Sequence, residues 1–142
     1  MHIRIIAVAA FLFAVAPGTA AFAADALAST LEKVSKDQIA AFNREDAAAT
    51  LSFAYTKSPA YDTAKSELPA LFEESDARAE QIGFQYVGHD DELAYARVKV
   101  KVTAADAPDF QGNVVDSLMI FHQEGGSWKV FDSYLLGSQL VP

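Results

Sequence analysis

Between residues 25 and 42, apolar side chains recur every three to four positions and charged side chains fall between them. This spacing predicts an amphipathic helix whose apolar stripe, with Leu27, Leu31 and Val34, faces a core. Asn43 follows directly and is a residue type that can end a helix. The folded part of the chain is therefore expected to begin with a helix that buries one side.

Two more helices are predicted before the pattern changes. Asp46 can cap a second helix over residues 47–55, and Pro59 is expected to stop that helix. Ser66 can cap a third helix, whose acidic N-terminal half suits the helix dipole. This third helix is expected to run to about Glu80.

From Gln81 onward, apolar residues alternate with polar ones, as expected for strands. In LAYARVKVKV (93–102), one face is small and apolar, and the other carries Tyr95, Arg97, Lys99 and Lys101. The stretch 82–93 precedes it as a hairpin partner, and two further strands flank the Gly125-Gly126 turn. The prediction is an α+β fold in which three N-terminal helices pack on a four-stranded antiparallel sheet.

The Gly125-Gly126 turn also predicts the register of the last two strands. Counting outward pairs Gln123 with Trp128, Phe121 with Val130, Met119 with Asp132 and Ser117 with Tyr134. Asp116 and Asp132 then point to opposite faces and cannot form a carboxylate dyad unless a bulge intervenes. The bulkier face is assigned to the interior, with Ser117, Met119, Phe121, Trp128, Val130, Asp132 and Tyr134.

The first 23 residues have the pattern of a secretory signal peptide: a basic start, an apolar run over 5–16 and a small-x-small site ending at Ala23. The run is shorter than the roughly 20 residues that a spanning helix needs. We expect cleavage after Ala23, one domain over 24–142, and a periplasmic or secreted protein without membrane attachment. Cleavage removes one basic residue, Arg4, which leaves 10 basic and 19 acidic side chains, a net charge of 10 − 19 = −9. Nucleic acid is therefore not expected as a partner.

The element order, the stretches FNREDAAATLSFAY and VVDSLMIFHQEGGSWKVF, and the length together resemble the nuclear transport factor two-like superfamily. That superfamily includes SnoaL-like proteins and ketosteroid isomerase. The resemblance covers the mature chain and implies a curved sheet wrapped around helices, forming a cone with an apolar pocket. It also implies a homodimer through the outer sheet face, where the basic residues Arg97, Lys99 and Lys101 could meet acidic groups of a second subunit.

Resemblance to ketosteroid isomerase implies a catalytic base just after the second helix, a position that Asp62 matches. The tyrosine of that family lies on the first helix, and residues 25–42 contain none. Tyr55, Tyr61 and Tyr134 could replace it only from elsewhere. The reaction of that isomerase is therefore not expected of this chain.

Three functions remain open at this point. The first is a non-enzymatic domain that binds a small apolar or amphipathic molecule in the cone. Its ligand-binding residues would be Tyr55, Tyr61, Asp62, Ser117, Met119, Phe121, Trp128, Val130, Asp132 and Tyr134. The second is an acid/base enzyme of isomerase, dehydratase or cyclase type that uses Asp62 or Asp132. The third is an interaction module whose cone is filled by its own side chains.

The chain has no Gly-rich phosphate loop, and no second cluster completes a metal site at GHDDEL, so neither cofactor nor metal is predicted.

Overall fold

Three helices precede four strands in the computed structural model, which describes residues 18–106 and 112–141. The elements are α1 (Gly18–Asn43), α2 (Ala47–Ser52), α3 (Pro59–Glu74), β1 (Ala77–His89), β2 (Leu93–Ala104), β3 (Asn113–Glu124) and β4 (Ser127–Leu140). The strands form one antiparallel sheet in the order β1-β2-β3-β4. The predicted α+β architecture is confirmed.

The structure begins within the predicted signal peptide. Residues 1–17 lie outside the described residues, and α1 already includes Gly18. The cleavage site after Ala23 therefore falls inside α1, and cleavage there stays a prediction. None of the helices among the described residues is long and apolar enough to cross a membrane.

The second helix is shorter than predicted. Asp46 caps α2 as expected, and its carboxylate accepts a hydrogen bond from a first-turn N–H at 2.9 Å. The helix ends at Ser52, and the segment Phe53–Tyr55 runs beside β4 instead. Val130 N–H donates to the Phe53 carbonyl at 2.7 Å, and Tyr55 N–H donates to the Val130 carbonyl at 2.8 Å.

The predicted start and end of the third helix are wrong. α3 begins at Pro59, and Ser58 caps it by accepting a hydrogen bond from Tyr61 N–H at 3.1 Å. Proline suits this first position because its missing N–H would have no helical partner there. Ser66 lies inside the helix, and β1 has already begun at Ala77, where the sequence predicted helix.

The two faces of β2 differ as the alternation predicts. Ala94, Ala96 and Val98 are fully buried, whereas the side chains between them face outward. We call the buried side the inner face and the opposite side the outer face. The core lies between the inner face and α1, and consists of Leu31, Ala94, Ala96, Val98, Met119 and Phe121.

The predicted register of β3 and β4 is correct only near the turn. Gln123 pairs with Trp128 and Phe121 with Val130, as expected. Beyond them Ile120 pairs with Asp132, Met119 with Ser133, Leu118 with Tyr134 and Ser117 with Leu135, so the predicted partners of Met119 and Ser117 are wrong. The cause is a bulge that leaves Phe131 unpaired, because one extra residue moves every later side chain to the other face. Asp132 and Tyr134 are therefore on the outer face.

Candidate functional site

The residues predicted to line a ligand pocket lie in three separate places. Ser117, Met119, Phe121, Trp128 and Val130 are on the inner face, and Asp132 and Tyr134 are on the outer face. Tyr61 and Asp62 lie in the first turn of α3, and Tyr55 lies beside β4. The structure therefore does not bring the predicted set together as one site.

The protein itself covers the inner face where α1 packs on it, whereas Leu135, which lies opposite Ser117 on the same face, is 67 % exposed. Phe121, Val98 and Leu31 of α1 each have 0 % of their surface exposed. Trp128 and Val130 are half-buried and pack against the same core. The cavities described on residues 18–106 and 112–141 are open clefts of about 210 to 340 Å³, and none of the five is lined by Met119, Phe121 or Trp128.

One polar group in this interior has an unused hydrogen-bonding capacity. The Ser35 hydroxyl, on α1, donates to Gln81 Oε1 at 2.7 Å and lies 3.8 Å from the Met119 sulfur. Gln81 Nε2 is buried and has no hydrogen-bond partner within the described part of the chain. A buried donor without a partner is uncommon in folded proteins, so this amide is distinguished from the other polar groups of the interior, Ser35 and Ser117.

The two carboxylates proposed for acid/base chemistry are not partners. Asp62 is exposed in the first turn of α3, whereas Asp132 lies on the outer face and accepts a hydrogen bond from Ser133 N–H at 2.7 Å. Asp116 is on the same face as Asp132, contrary to the predicted register, but Asp132 lies opposite Ile120, four positions further along β3. No carboxylate dyad results.

Rows of cross-strand neighbours cover the outer face. From β1 to β4 they are Gly88–Tyr95–Ile120–Asp132, Gln85–Arg97–Leu118–Tyr134, Gly83–Lys99–Asp116–Gly137 and Glu80–Lys101–Val114–Gln139. Arg97 binds Asp116 through two hydrogen bonds, from Nε to Oδ1 at 2.8 Å and from Nη2 to Oδ2 at 2.5 Å. These bonds hold the pKa of the Asp116 carboxyl below its usual value and raise the pKa of Arg97.

Two clefts flank the centre of this face because one row has glycine at both ends. A cleft of about 340 Å³ is lined by Ile82, Gly83, Phe84, Gln85, Arg97 and Lys99. Another, of about 250 Å³, is lined by Lys99, Val114, Asp116, Gly137, Ser138 and Gln139. Lys99 is common to both, so a Lys99–Asp116 ridge stands between two depressions that side chains of a partner can enter.

Sequence reasoning missed an aromatic cluster at the turn end of β3 and β4. The rings of Tyr55 and His122 stack with their centres 4.4 Å apart, and Phe131 lies 5.7 Å from Tyr55. No pattern in the sequence points to the cluster, because it forms through the bulge at Phe131 and the non-helical course of residues 53–55.

The same end of the sheet is tied to the segment after α2 by two charged side chains. The Glu124 carboxylate accepts hydrogen bonds from the hydroxyl and the N–H of Thr56, and the hydroxyl contact lowers the pKa of Glu124. Lys129 Nζ donates to the Ser52 carbonyl at 2.5 Å. Because both charges are bound within the chain, we interpret this pair as a structural clamp.

Comparison with known proteins places the chain in a family. Residues 33–139, well over half of the chain, match the family model described as "Anti-sigma-I factor RsgI9, C-terminal domain". No curated protein matches the chain by sequence.

Solved structures similar to this chain share the nuclear transport factor two-like fold. A scytalone dehydratase-like protein from Novosphingobium aromaticivorans has a TM-score of 0.65 at 9 % identity, over 85 % of this chain and 92 % of that one. An NTF2-like protein of unknown function from Pseudomonas putida has a TM-score of 0.65 at 12 % identity, over 78 % and 86 %. A ketosteroid isomerase-like protein from Erwinia carotovora has a TM-score of 0.57 at 16 % identity, over 78 % and 96 %.

At these identities the likeness shows the fold alone, and the fold predicted from the sequence is confirmed. The fold includes both enzymes and proteins of other function, so the family model is the more specific finding. The chain belongs to the family of the C-terminal domain of the anti-sigma-I factor RsgI9.

Proposed function

We propose that this domain is a non-catalytic protein-interaction module that works through the surface of its sheet. The observation that carries the proposal is the filled cone, in which Leu31, Val98 and Phe121 are completely buried. A small molecule that contacts these three residues would have to displace α1 from the sheet. The matched family is named for a domain of an anti-sigma factor, not for an enzyme, which also supports an interaction function.

The outer face is the surface that we propose for the partner. Leu118, Ile120 and Tyr134 form its apolar centre, and Arg97 and Lys99 lie beside them. Basic side chains on one face of a chain with a net charge of −8 favour a partner that presents acidic groups around an apolar contact. A second copy of the chain presents the acidic Asp132 next to the same apolar centre, opposite Ile120, so the homodimer predicted from the sequence remains our proposal for this face.

Replacing Leu118 with Glu tests the outer face. We expect the variant to be monomeric at micromolar concentrations at which the wild-type protein is dimeric, because a charged side chain would replace an apolar one at the centre of the contact. Leu71→Glu is the matched control, since Leu71 is an exposed leucine on α3. Light scattering coupled to gel filtration gives the mass of each species, and a dimeric Leu118→Glu protein would contradict the proposed surface.

A second function, small-molecule binding in the cone, is supported by the unpartnered Gln81 Nε2 atom beside Ser35. This donor could serve a carbonyl oxygen of a ligand. Trp128 is the only tryptophan and packs against the core, so its fluorescence would report such binding. Steroids, fatty acids and aromatic metabolites should leave its emission unchanged if the cone stays filled, and a saturable shift would favour the binder instead.

Export to the periplasm, or secretion, remains part of the proposal. Cleavage after Ala23 would keep the residues of α1 that are shown to contact the sheet or its core, which are Leu27, Leu31, Val34, Ser35 and Asn43. These contacts are therefore compatible with export. An intact mass that begins at Ala24 would support export, and a mass that includes Met1 would oppose it.

A further inference from the structure

Strand β4 has an unpaired side over its C-terminal part. Near the turn, that side is occupied by the Phe53–Tyr55 segment, which bonds to both backbone groups of Val130. Beyond Val130, no backbone hydrogen bond within residues 18–106 and 112–141 reaches this side, and the bonds of the strand go to β3. We call Ser133–Leu140 the free edge.

The free edge is apolar and carries no charge. Tyr134, Leu135, Leu136 and Leu140 are 56 %, 67 %, 54 % and 71 % exposed, respectively. The other residues of the stretch are serine, glycine and glutamine. Natural sheets protect such edges with lysine, with proline or by covering them, because unpaired backbone groups next to apolar side chains accept another strand. None of these protections is present on the free edge among the described residues.

The opposite edge of the sheet, β1, is protected. Arg78 and Glu80 are charged and exposed there, and two bulges, at Ile82 and Val87, interrupt its pairing. α1 packs most extensively against this strand. Both edge strands have bulges, but a docking strand would also meet charged side chains and α1 at β1, so β4 is the edge more open to strand pairing.

We propose that the free edge binds the free edge of a second copy of this chain in antiparallel orientation, which joins two four-stranded sheets into one continuous sheet. The two-fold arrangement places uncharged residues against uncharged residues. Each copy has a net charge of −8, so a contact confined to an uncharged stretch brings the chains together where they repel least. Leu136 is an extra residue in β4, so the edge bends there and pairing is restricted to the residues on its two sides.

This contact differs from the outer-face dimer because it uses the backbone groups of the sheet edge, although Tyr134 belongs to both surfaces. A chain that uses the edge alone forms a dimer. A chain that uses both contacts forms assemblies of four or more copies, since each contact relates two copies by its own two-fold axis.

A lysine on the free edge tests the inference. Leu136→Lys should raise the dissociation constant of the edge-linked species at least about tenfold, because a charged side chain there opposes strand pairing. Val87→Lys is a closely matched control, since Val87 is also an exposed aliphatic residue at a bulge, 60 % exposed, but on the opposite edge. Circular dichroism and the melting temperature show whether each variant is folded.

A distance measurement covers the case in which Leu136→Lys does not fold. The chain has no cysteine, so Ser138→Cys and Gln85→Cys each carry one spin label. Edge pairing puts the labels at 138 within about 20 Å of each other and those at 85, on β1, farther apart than about 25 Å.

Short distances at 138, and a weaker assembly for Leu136→Lys only, would support the edge contact. Long distances at 138, an unaffected Leu136→Lys assembly, or a wild-type protein that is monomeric throughout the micromolar range would overturn it. If Leu118→Glu abolishes assembly and Leu136→Lys does not, the edge inference fails and the proposed function stands.

Discussion

The two faces of the sheet are made by the same strands and have opposite compositions. On β2, Ala94 and Ala96 are so small that α1 can approach closely, and Leu31 of α1 is fully buried in the same core. On the outer face, Arg97 and Lys99 stand between clefts that end in glycine. The difference teaches that a cone-shaped fold does not imply a pocket, because the size of the strand side chains decides whether a helix closes the cone.

The largest effect that distinguishes the faces is expected at β3. Phe121→Ala should lower the free energy of unfolding by about 3–5 kcal/mol, since it removes a fully buried ring and leaves a cavity beneath α1. Leu118→Ala, a truncation on the outer face of the same strand, should cost about 1 kcal/mol or less. Urea denaturation measures both. Equal losses would mean that the two faces are not core and surface as described.

The same two faces show which features of the sheet could be predicted from the sequence. Alternation alone assigned the buried and exposed sides of β2 correctly, because the period of a strand is fixed by backbone geometry. Counting from the glycine turn was correct as far as Phe121 and Val130. It failed at Phe131, because a bulge depends on the course of the neighbouring segment, here Phe53–Tyr55, and no local pattern reports it.

Helix boundaries failed for a different reason. Ser58 and Ser66 both precede residues that can form a helix, and only the first is followed by proline at the first helical position. The preference for proline at the first helical position favours Ser58, but proline also stops helices, so Pro59 equally predicts the end of the second helix. Two features explain why the predicted ligand residues lie apart. The bulge at Phe131 places Asp132 and Tyr134 on the outer face, and the end of α2 at Ser52 places Tyr55 beside β4.

A smaller effect is expected from the polar pair within the core. Ser35→Ala removes the donor to Gln81 Oε1 and should cost about 1–3 kcal/mol, because the amide then has no partner on either side. Adding Gln81→Leu should recover part of this loss, since both polar groups are then absent. Ser29→Ala, on an exposed position of the same helix, is the control and should change stability by less than about 0.5 kcal/mol.

The double-mutant cycle for Ser35 and Gln81 sharpens the distinction between a filled cone and a ligand site. A coupling energy clearly different from zero shows that the hydrogen bond contributes to the folded state. If both single variants are as stable as the wild-type protein, the pair contributes nothing to the fold, and the small-molecule function gains support.

The smallest effect is expected on the outer face and depends on pH. Arg97 lowers the pKa of Asp116 chiefly through its hydrogen bonds to the carboxylate. A carboxyl whose pKa is lower in the folded state stabilises the fold above its unfolded pKa, about 3.9, and this contribution is lost as pH falls through the folded pKa. The wild-type protein should therefore lose more stability than Arg97→Gln when the pH falls from 6 toward 2.

Carbon-13 titration of Asp116 should show that its pKa rises in Arg97→Gln. The pKa should not change in the control Arg78→Gln, because Arg78 binds Glu45 and Asp76 and not Asp116. An Asp116 pKa that does not respond to Arg97→Gln would mean that the ion pair on this face does not form in solution.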